Sequence, residues 1–478
     1  MEIAKKLAHY VNSVSFENLK PEVVNEVKRR IIDSFGCALG AWKFETIKKI
    51  YGITPKSYGY NNIGHNSTII RPFAMPLTDT VSAAFINGAA IRYLDYNDTY
   101  LNLEPAHPSD NIAVLLAFAE EKKSTTQDFI MAITLSYEIQ CRLCDAASLR
   151  KNGWDHVTYL PISVACGASK LAKFNIEQTR NAIAIAIAMG AYTRQTRVGE
   201  LSEWKGFAAA NAACNGLRAV KLVEAGISGP QRIFEGTYGF RPQLFRTGDF
   251  KESFYQFLEE KPVPEKILET YIKNWPVEYH IQAPVETILN LRKNYPEIAD
   301  INSIISVKIE TYEAAVSIVG GDKSKWNPKT RETADHSIPY CVARALIDGK
   351  IDLDSFTEEK IRDPNVKKLI NKIIMREDAN FTALYGKSFP VAIEIVKKIP
   401  HIDIGVRTIN SKTTYYPKGH PRNPLTGKEL ESKFTELTSG FNGMPRYENF
   451  FCNIRNMEQL SDIKNIWLHL RNCNYDNE

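Results

Sequence analysis

Apolar residues in the N-terminal region fall at helical spacing. Ile3, Leu7, Tyr10, Val11 and Val14 share one face, which predicts an amphipathic helix rather than the unbroken apolar core of a signal peptide. Pro21 opens a second helix in which Val24, Val27, Ile31, Ile32 and Phe35 face a core, ending near Gly36 and Gly40. Lys43 to Arg71 scatters Gly, Asn, Ser and Thr among aromatics and reads as a surface connection. From Leu77 to Gly226 nearly every period is helical, with Ala and Gly frequent enough for helices to approach closely. The Ala-Ile alternation of Ala182–Met189 mimics a strand, but its Ala-rich setting predicts a buried helix.

Around Lys261-Pro262-Val263-Pro264 the pattern changes. Ser303–Tyr312 alternates apolar and polar residues as a half-buried strand does. Helices are predicted from Pro328 to Asp348 and from Val366 to Ile374, and strands over Val391–Val396 and Ile404–Tyr416. Helical spacing returns after Thr426, in ELESKFTELTSGF and MEQLSDIKNIWLHL. The expected architecture is mainly α: a large all-helical domain plus a smaller α+β lid domain. Residues 1–262 begin the helical domain, residues 263–419 form the lid, and residues 420–478 are C-terminal helices rejoining the helical domain.

Bulk properties narrow the class. With 478 residues the chain exceeds one ordinary core, and 44% hydrophobic with 24% charged residues suits a soluble globular protein. The net charge of +5 is spread over 60 basic and 55 acidic residues, so no nucleic-acid partner is expected. No segment reaches the roughly 18 uncharged residues of a membrane helix, so no membrane is expected either. Eight cysteines without regular spacing suit a reducing compartment and a cytoplasmic location. Cys141 and Cys144 form a C-x-x-C in a helical run, with no second pair and no nearby histidine, and read as small buried hydrophobes.

Candidate chemistry gathers in AIRYLDYNDTYLNLEPAHPSD, Ala90 to Asp110. Here Asp95, Asn97, Asp98, Thr99, Glu104 and His107 lie between two apolar helices, the second capped by Ser109-Asp110. Carboxylates, a hydroxyl and a histidine on a framed loop are the ingredients of general acid–base catalysis, although a plain acidic capping turn uses the same residues. In Gly153-Trp154-Asp155-His156, His156 stands before an apolar helix, a place that favours anions and a lowered imidazole pKa. Arg194, Arg197, Ser202 and Lys205 crowd TRQTRVGELSEWKGF between apolar helices, and a bound carboxylate would account for them, as would surface charge offset by Glu200 and Glu203. Lys273 to His280 lies close to the proposed domain boundary, and Asp335–Tyr340 interrupts a helical run where Asp335 or Ser337 can cap. No Gly-rich phosphate loop, HExxH or G-x-S-x-G is present.

Together these segments resemble the MmgE/PrpD family over nearly the whole chain. The marks are DSFGCALG (Asp33–Gly40), FINGAAIRYLDYNDT (Phe85–Thr99), AHPSD (Ala106–Asp110), GWDH (Gly153–His156), SEWKGFAAANAA (Ser202–Ala213), KNWPVEYHIQ (Lys273–Gln282), ADHSIPY (Ala334–Tyr340) and KGHPRNP (Lys418–Pro424). The resemblance implies a homodimeric hydro-lyase needing no metal, iron–sulfur cluster or other cofactor. Its implied substrate is a small tricarboxylate, 2-methylcitrate or also citrate, in propionate breakdown by the methylcitrate cycle. By motif position it implies Asp95, His107, His156, Lys205, Lys273 and Tyr312 as catalytic residues, and Thr99 and His280 as substrate-binding ones; Arg197 and Ser202, from the cation-rich segment, join the substrate-binding set as candidates for holding a carboxylate. On that reading a neutral histidine, His107 or His156, takes a proton beside a carboxylate, and Lys205 and Lys273 hold the charge that develops. The other histidine or Tyr312 protonates the departing hydroxide, and Asp95 orients a histidine. Two alternatives stay open: loss of carbon dioxide from cis-aconitate on the same frame, and a non-catalytic helical interaction protein.

Overall fold

The computed structural model describes residues 2–56, 66–72, 75–199, 201–245, 250–399, 405–441 and 447–466. Glu200, Ile404 and the end of the last predicted helix, 467–470, lie outside the described residues. The chain divides into two compact units. The first comprises Met1–Arg197, Trp204–Thr270 and Thr426–Glu478, and the second Val198–Glu203 and Tyr271–Leu425.

In chain order, the helices of the first unit start with α1 (Ile3–Ser13), α2 (Pro21–Ala41) and α3 (Glu45–Ile53), the last lying inside the segment read as a loose connection. A short antiparallel pair, β1 (Ser67–Thr68) with β2 (Leu77–Thr78), precedes α4 (Thr80–Tyr93). Next come α5 (Ile112–Lys122), α6 (Thr126–Ala146), α7 (Leu160–Leu171), α8 (Ile176–Ala188), α9 (Ala208–Glu224), α10 (Phe240–Leu244) and α11 (Glu252–Glu260). The Ala-Ile run is helical, as its context predicts: Ala182 to Ile187 are all buried in α8. Burial on all sides explains why α7 carries a single charge, Lys170, since it packs against α5, α6, α8 and α9 at once.

The second unit contains α12 (Tyr279–Asn294), β3 (Ile304–Thr311), α13 (Glu313–Val319), α14 (Arg331–Ala334), α15 (Ile338–Asp348), α16 (Glu358–Arg362), α17 (Pro364–Ile370), β4 (Ile373–Glu377), α18 (Ala379–Ala383), β5 (Val391–Lys398) and β6 (Val406–Asn410). The sheet order is β4-β3-β5-β6, parallel between β3 and β4 and antiparallel elsewhere. Alternation is kept in β5, where Val391, Ile393, Ile395 and Lys397 are buried and α12 packs on that strand. The architecture is thus mainly helical, with one small mixed sheet, as the periodicity predicts.

Several predicted elements differ in detail. The Val366–Ile374 helix ends at Ile370, and Ile373 already pairs with Val307 in the sheet. The apolar spacing continued, but β-branched Ile373 and Ile374 suit a strand, and Val307 N donates to Lys372 O at 2.9 Å. The Pro328–Asp348 run is two helices, with Ser337 accepting from Tyr340 N to start the second. The Ile404–Tyr416 strand is confined to β6 plus a single bridge between Thr414 and Val391. Asp110 does not cap α5: Pro108–Asn111 is a 3-10 turn running straight into it, and the Asp110 carboxylate turns inward to Asn97.

Two C-terminal helices, α19 (Gly427–Thr438) and α20 (Glu448–Arg455), close the first unit by packing on α2. Beyond α20, MEQLSDIKNI contributes only 3-10 turns, Met457–Gln459 and Ile463–Ile466. The α2–α19 crossing is close. A Cβ placed on Gly40 would stand 3.1 Å from the Leu437 carbonyl oxygen.

Gly40→Leu is therefore expected to overpack this crossing and cost about 1–3 kcal/mol, read as a lowered melting temperature. Gly52→Ala, on the exposed face of α3 with nothing among the described residues within 4 Å, should instead stabilise by roughly 0.5–1 kcal/mol. An equal effect of the two substitutions would show that α19 does not pack as described.

Candidate active site

The acidic loop after α4 is shaped by its first residue. Asp95 has φ of 51°, a left-handed conformation that costs a non-glycine residue roughly 1–2 kcal/mol. It turns the chain so that the buried Asp95 carboxylate ion-pairs with Arg92, one helical turn back on α4. Lys205 Nζ lies 3.9 Å from the other oxygen of Asp95. Lys205 is itself buried, on the 3-10 turn Glu203–Gly206.

Residues 100–106 then double back. Tyr100 and Ala106 exchange backbone hydrogen bonds of 2.8 and 2.9 Å, which returns His107 to Asp98. His107 Nδ1 lies 2.7 Å from the Asp98 backbone oxygen, which can only accept. Arg92 Nη2 lies 2.9 Å from His107 Nε2, and a guanidinium can only donate. Together these contacts define the tautomer: the proton sits on Nδ1 and the Nε2 lone pair faces Arg92. Thr99 Oγ1 stands 3.3 Å from the same Nδ1.

The second histidine is held differently. Trp154 bridges Thr193, and Asp155 N donates to Tyr192 O at 2.6 Å, which draws the start of the 3-10 turn His156–Tyr159 against the segment leading to Arg197. Asp155 Oδ1 accepts from His156 Nδ1 at 2.8 Å, and Asp155 Oδ2 accepts from Arg197 Nε at 3.0 Å. Burial opposes ionisation of Asp155, but the Arg197 and His156 charges outweigh it and hold the carboxyl well below the usual range. Burial lowers the His156 pKa below its ordinary value, with Asp155 pulling the other way. The imidazole is thus neutral at pH 7, with its Nδ1 proton on Asp155. Its Nε2 is buried and has no hydrogen-bond partner among the described residues. The rings of His107 and His156 meet edge to face at 5.6 Å.

Arg197 Nη1 donates to Lys205 O at 3.0 Å, while its Nη2 is buried without a partner among the described residues. The first unit therefore brings together Asp95, Thr99, His107, His156, Lys205 and Arg197 through direct contacts or shared partners. Sequence reasoning gave no role to Arg92 or Asp155, the groups that fix the two imidazoles. Arg92 stood three residues before Asp95 on a helix, and Asp155 directly before His156, so carboxylate-to-cation spacing was the available signal.

The remaining candidates lie in the second unit. Lys273 is fully buried. The backbone of its motif is clamped by Gln282, whose side chain accepts from Asn274 N and Trp275 N and donates to Trp275 O and Val277 O. His280 stands in the first turn of α12, where the Glu278 side chain accepts from its backbone N–H at 2.7 Å. Its Nδ1 is 2.6 Å from Tyr312 Oη, and burial pushes the Tyr312 phenol well above its ordinary range, so it stays protonated. Ser202 is exposed. Asp335 and His336 form their own pair, Oδ1 to Nδ1 at 2.5 Å. Cys141 and Cys144 are both buried in α6, and burial holds both thiols above the ordinary range, so neither is a thiolate at pH 7.

The arrangement in the first unit offers a neutral, carboxylate-oriented imidazole with an open lone pair. Beside it is a cationic edge formed by Arg92, Arg197 and Lys205. That combination can take a proton from a substrate carrying carboxylates.

Comparison with known proteins gives this chemistry a family. Residues 5–253 match the MmgE/PrpD N-terminal domain and residues 275–448 the MmgE/PrpD C-terminal domain. The mitochondrial 2-methylcitrate dehydratase of Yarrowia lipolytica is 29% identical over 462 residues, covering 92% of this chain and 84% of that one. The 2-methylcitrate dehydratase of Escherichia coli K12 is 28% identical over 424 residues, 84% and 83% of the two chains. An alkylcitrate dehydratase from a fungal species is 28% identical over 461 residues, 90% and 86% of the two chains. With both domain models matched in order along the sequence, the chain belongs to the MmgE/PrpD family.

Proposed function

We propose that this protein is a hydro-lyase that dehydrates 2-methylcitrate, and citrate less well, to the corresponding aconitate. The observation carrying the reading is a pair of buried groups on either side of Asp155 that have no hydrogen-bond partner among the described residues: the His156 Nε2 acceptor and the Arg197 Nη2 donor. An acceptor and a donor left open in a buried place are costly unless a ligand uses both. A carboxylate next to an acidic C–H does so. The names of the relatives supply the substrate class, a small tricarboxylate.

On this reading His156 Nε2 takes the proton, and the electron pair of the C–H bond forms the new C=C bond as the C–O bond breaks. Arg197 and Lys205 stabilise the carboxylate that carries the developing charge. Both nitrogens of His107 are engaged by Arg92 and Asp98, so His107 is a binding and orienting group rather than the base. Asp95 sets Arg92 and Lys205. Lys273, Tyr312, His280, Ser202 and Thr99 are included on motif position, with Tyr312 as the proton source for the departing hydroxide. The chemistry needs no metal, and the enzyme works as a homodimer.

The test is a panel of 2-methylcitrate, citrate, a longer alkylcitrate and cis-aconitate. Products are followed by ultraviolet absorbance of the conjugated double bond and by mass spectrometry, with and without a strong chelator. Fastest turnover of 2-methylcitrate, unchanged by the chelator, is the expected result. Carbon dioxide from cis-aconitate with no dehydration of the citrates would assign the protein to decarboxylation instead, and activity restored only by an added metal would end the metal-free mechanism.

His156→Gln should lower turnover by roughly 10²–10⁴-fold with little change in melting temperature. The pH profile separates base from bystander. Below its pKa His156 is protonated and cannot accept, so turnover falls as pH falls. Because burial lowers that pKa, the acid limb should lie below 6.5. Asp155→Asn removes the charge that raises it, so the limb should move to still lower pH while turnover drops. An acid limb unmoved by Asp155→Asn but abolished by His107→Gln would make His107 the base.

A further inference from the structure

α19 contributes one buried cation to the first unit, Lys433. Its Nζ donates to Asp33 Oδ1 on α2 at 2.6 Å and to the backbone oxygen of Tyr96 at 2.8 Å, and stands 3.7 Å from the centre of the Tyr96 ring. Tyr96 directly follows Asp95, the residue held in the left-handed conformation. Asp33 Oδ2 has no partner among the described residues, so the ion pair rests on one oxygen. A buried pair of that kind is a poor source of stability compared with an apolar replacement. Its geometry serves something else: it anchors the peptide that orients the Asp95 carboxylate toward Arg92 and, at 3.9 Å, Lys205.

We infer that Lys433 is a positioning residue for the acidic loop. It acts through the Tyr96 carbonyl to hold Asp95, and through Asp95 and Arg92 to orient His107. Asp33 Oδ1 accepts from the same ammonium. The inference rests on the hydro-lyase reading for its kinetic readout only, because the tautomer of His107 reports the same chain of contacts without substrate.

Three variants separate positioning from charge balance. Lys433→Met removes the donor, Asp33→Leu/Lys433→Met removes both charges, and Asp33→Asn keeps the lysine on the Tyr96 carbonyl. The double variant should recover most of the melting temperature lost by Lys433→Met, yet keep a turnover defect of about tenfold or more at nearly unchanged KM. Asp33→Asn should stay within about twofold of wild-type turnover per folded molecule. In nitrogen NMR of labelled histidines, assigned with His107→Gln, the His107 signal should show a fixed Nδ1–H form in wild type and Asp33→Asn. In both Lys433 variants it should move toward averaged tautomers. If the wild type dehydrates nothing in the panel, the functional reading fails and the NMR result still decides the positioning role. Wild-type turnover and a wild-type His107 signal in the double variant would overturn it.

Discussion

A carboxylate moved out of water costs several kcal/mol unless its oxygens are satisfied, and Asp98 is wholly buried. Burial pushes its pKa up, and Arg30 opposes that rise from 3.4 Å on α2. Ser109 N donates to Oδ1 at 2.9 Å and the Tyr137 hydroxyl of α6 donates to Oδ2 at 2.8 Å. One side chain therefore joins α2, α6 and both ends of the acidic loop, while its backbone carbonyl fixes the proton of His107. Because each partner answers a desolvation cost, the loop has few alternative conformations that leave Asp98 equally satisfied. The geometry of the histidine pair follows from that restriction.

The two histidines show how one residue type acquires different abilities. Their rings are 5.6 Å apart, and only His156 directly follows an acidic residue in sequence. His107 faces an arginine and a carbonyl, so its lone pair and its proton are each occupied. His156 faces an aspartate on one side only, which fixes its proton and leaves the opposite nitrogen open. The difference lies in the neighbours, and those neighbours are set by the turn at Asp95 and by the bridge between Trp154 and Thr193.

Fold class was legible because helical spacing recurs in each element from α4 to α9 and gives way to alternation in β3 and β5. β4 was hidden because Ile370, Ile373 and Ile374 continue a helical apolar spacing, and only pairing with β3 tells them apart. Motif positions could be read along the chain, which is why His107, His156 and Lys205 were singled out. Their division of labour could not. It depends on which atom of Arg92 or Asp155 meets which ring nitrogen, and spacing in sequence does not encode that. Lys433 was invisible for a related reason: its partners Asp33 and Tyr96 lie hundreds of residues away, and alone it is an ordinary helical lysine.

The return of α19 to α2 has a consequence for how the protein is made. Asp33 and Lys433 are separated by 400 residues, and until the later one leaves the ribosome the earlier one lacks this partner. At roughly 5–20 residues per second the delay is about 20–80 s. During that interval the α2 surface around Gly36 and Gly40, later covered by Phe434 and Leu437, is open to water and to other chains. The helical unit thus cannot complete its packing until the last helices have emerged.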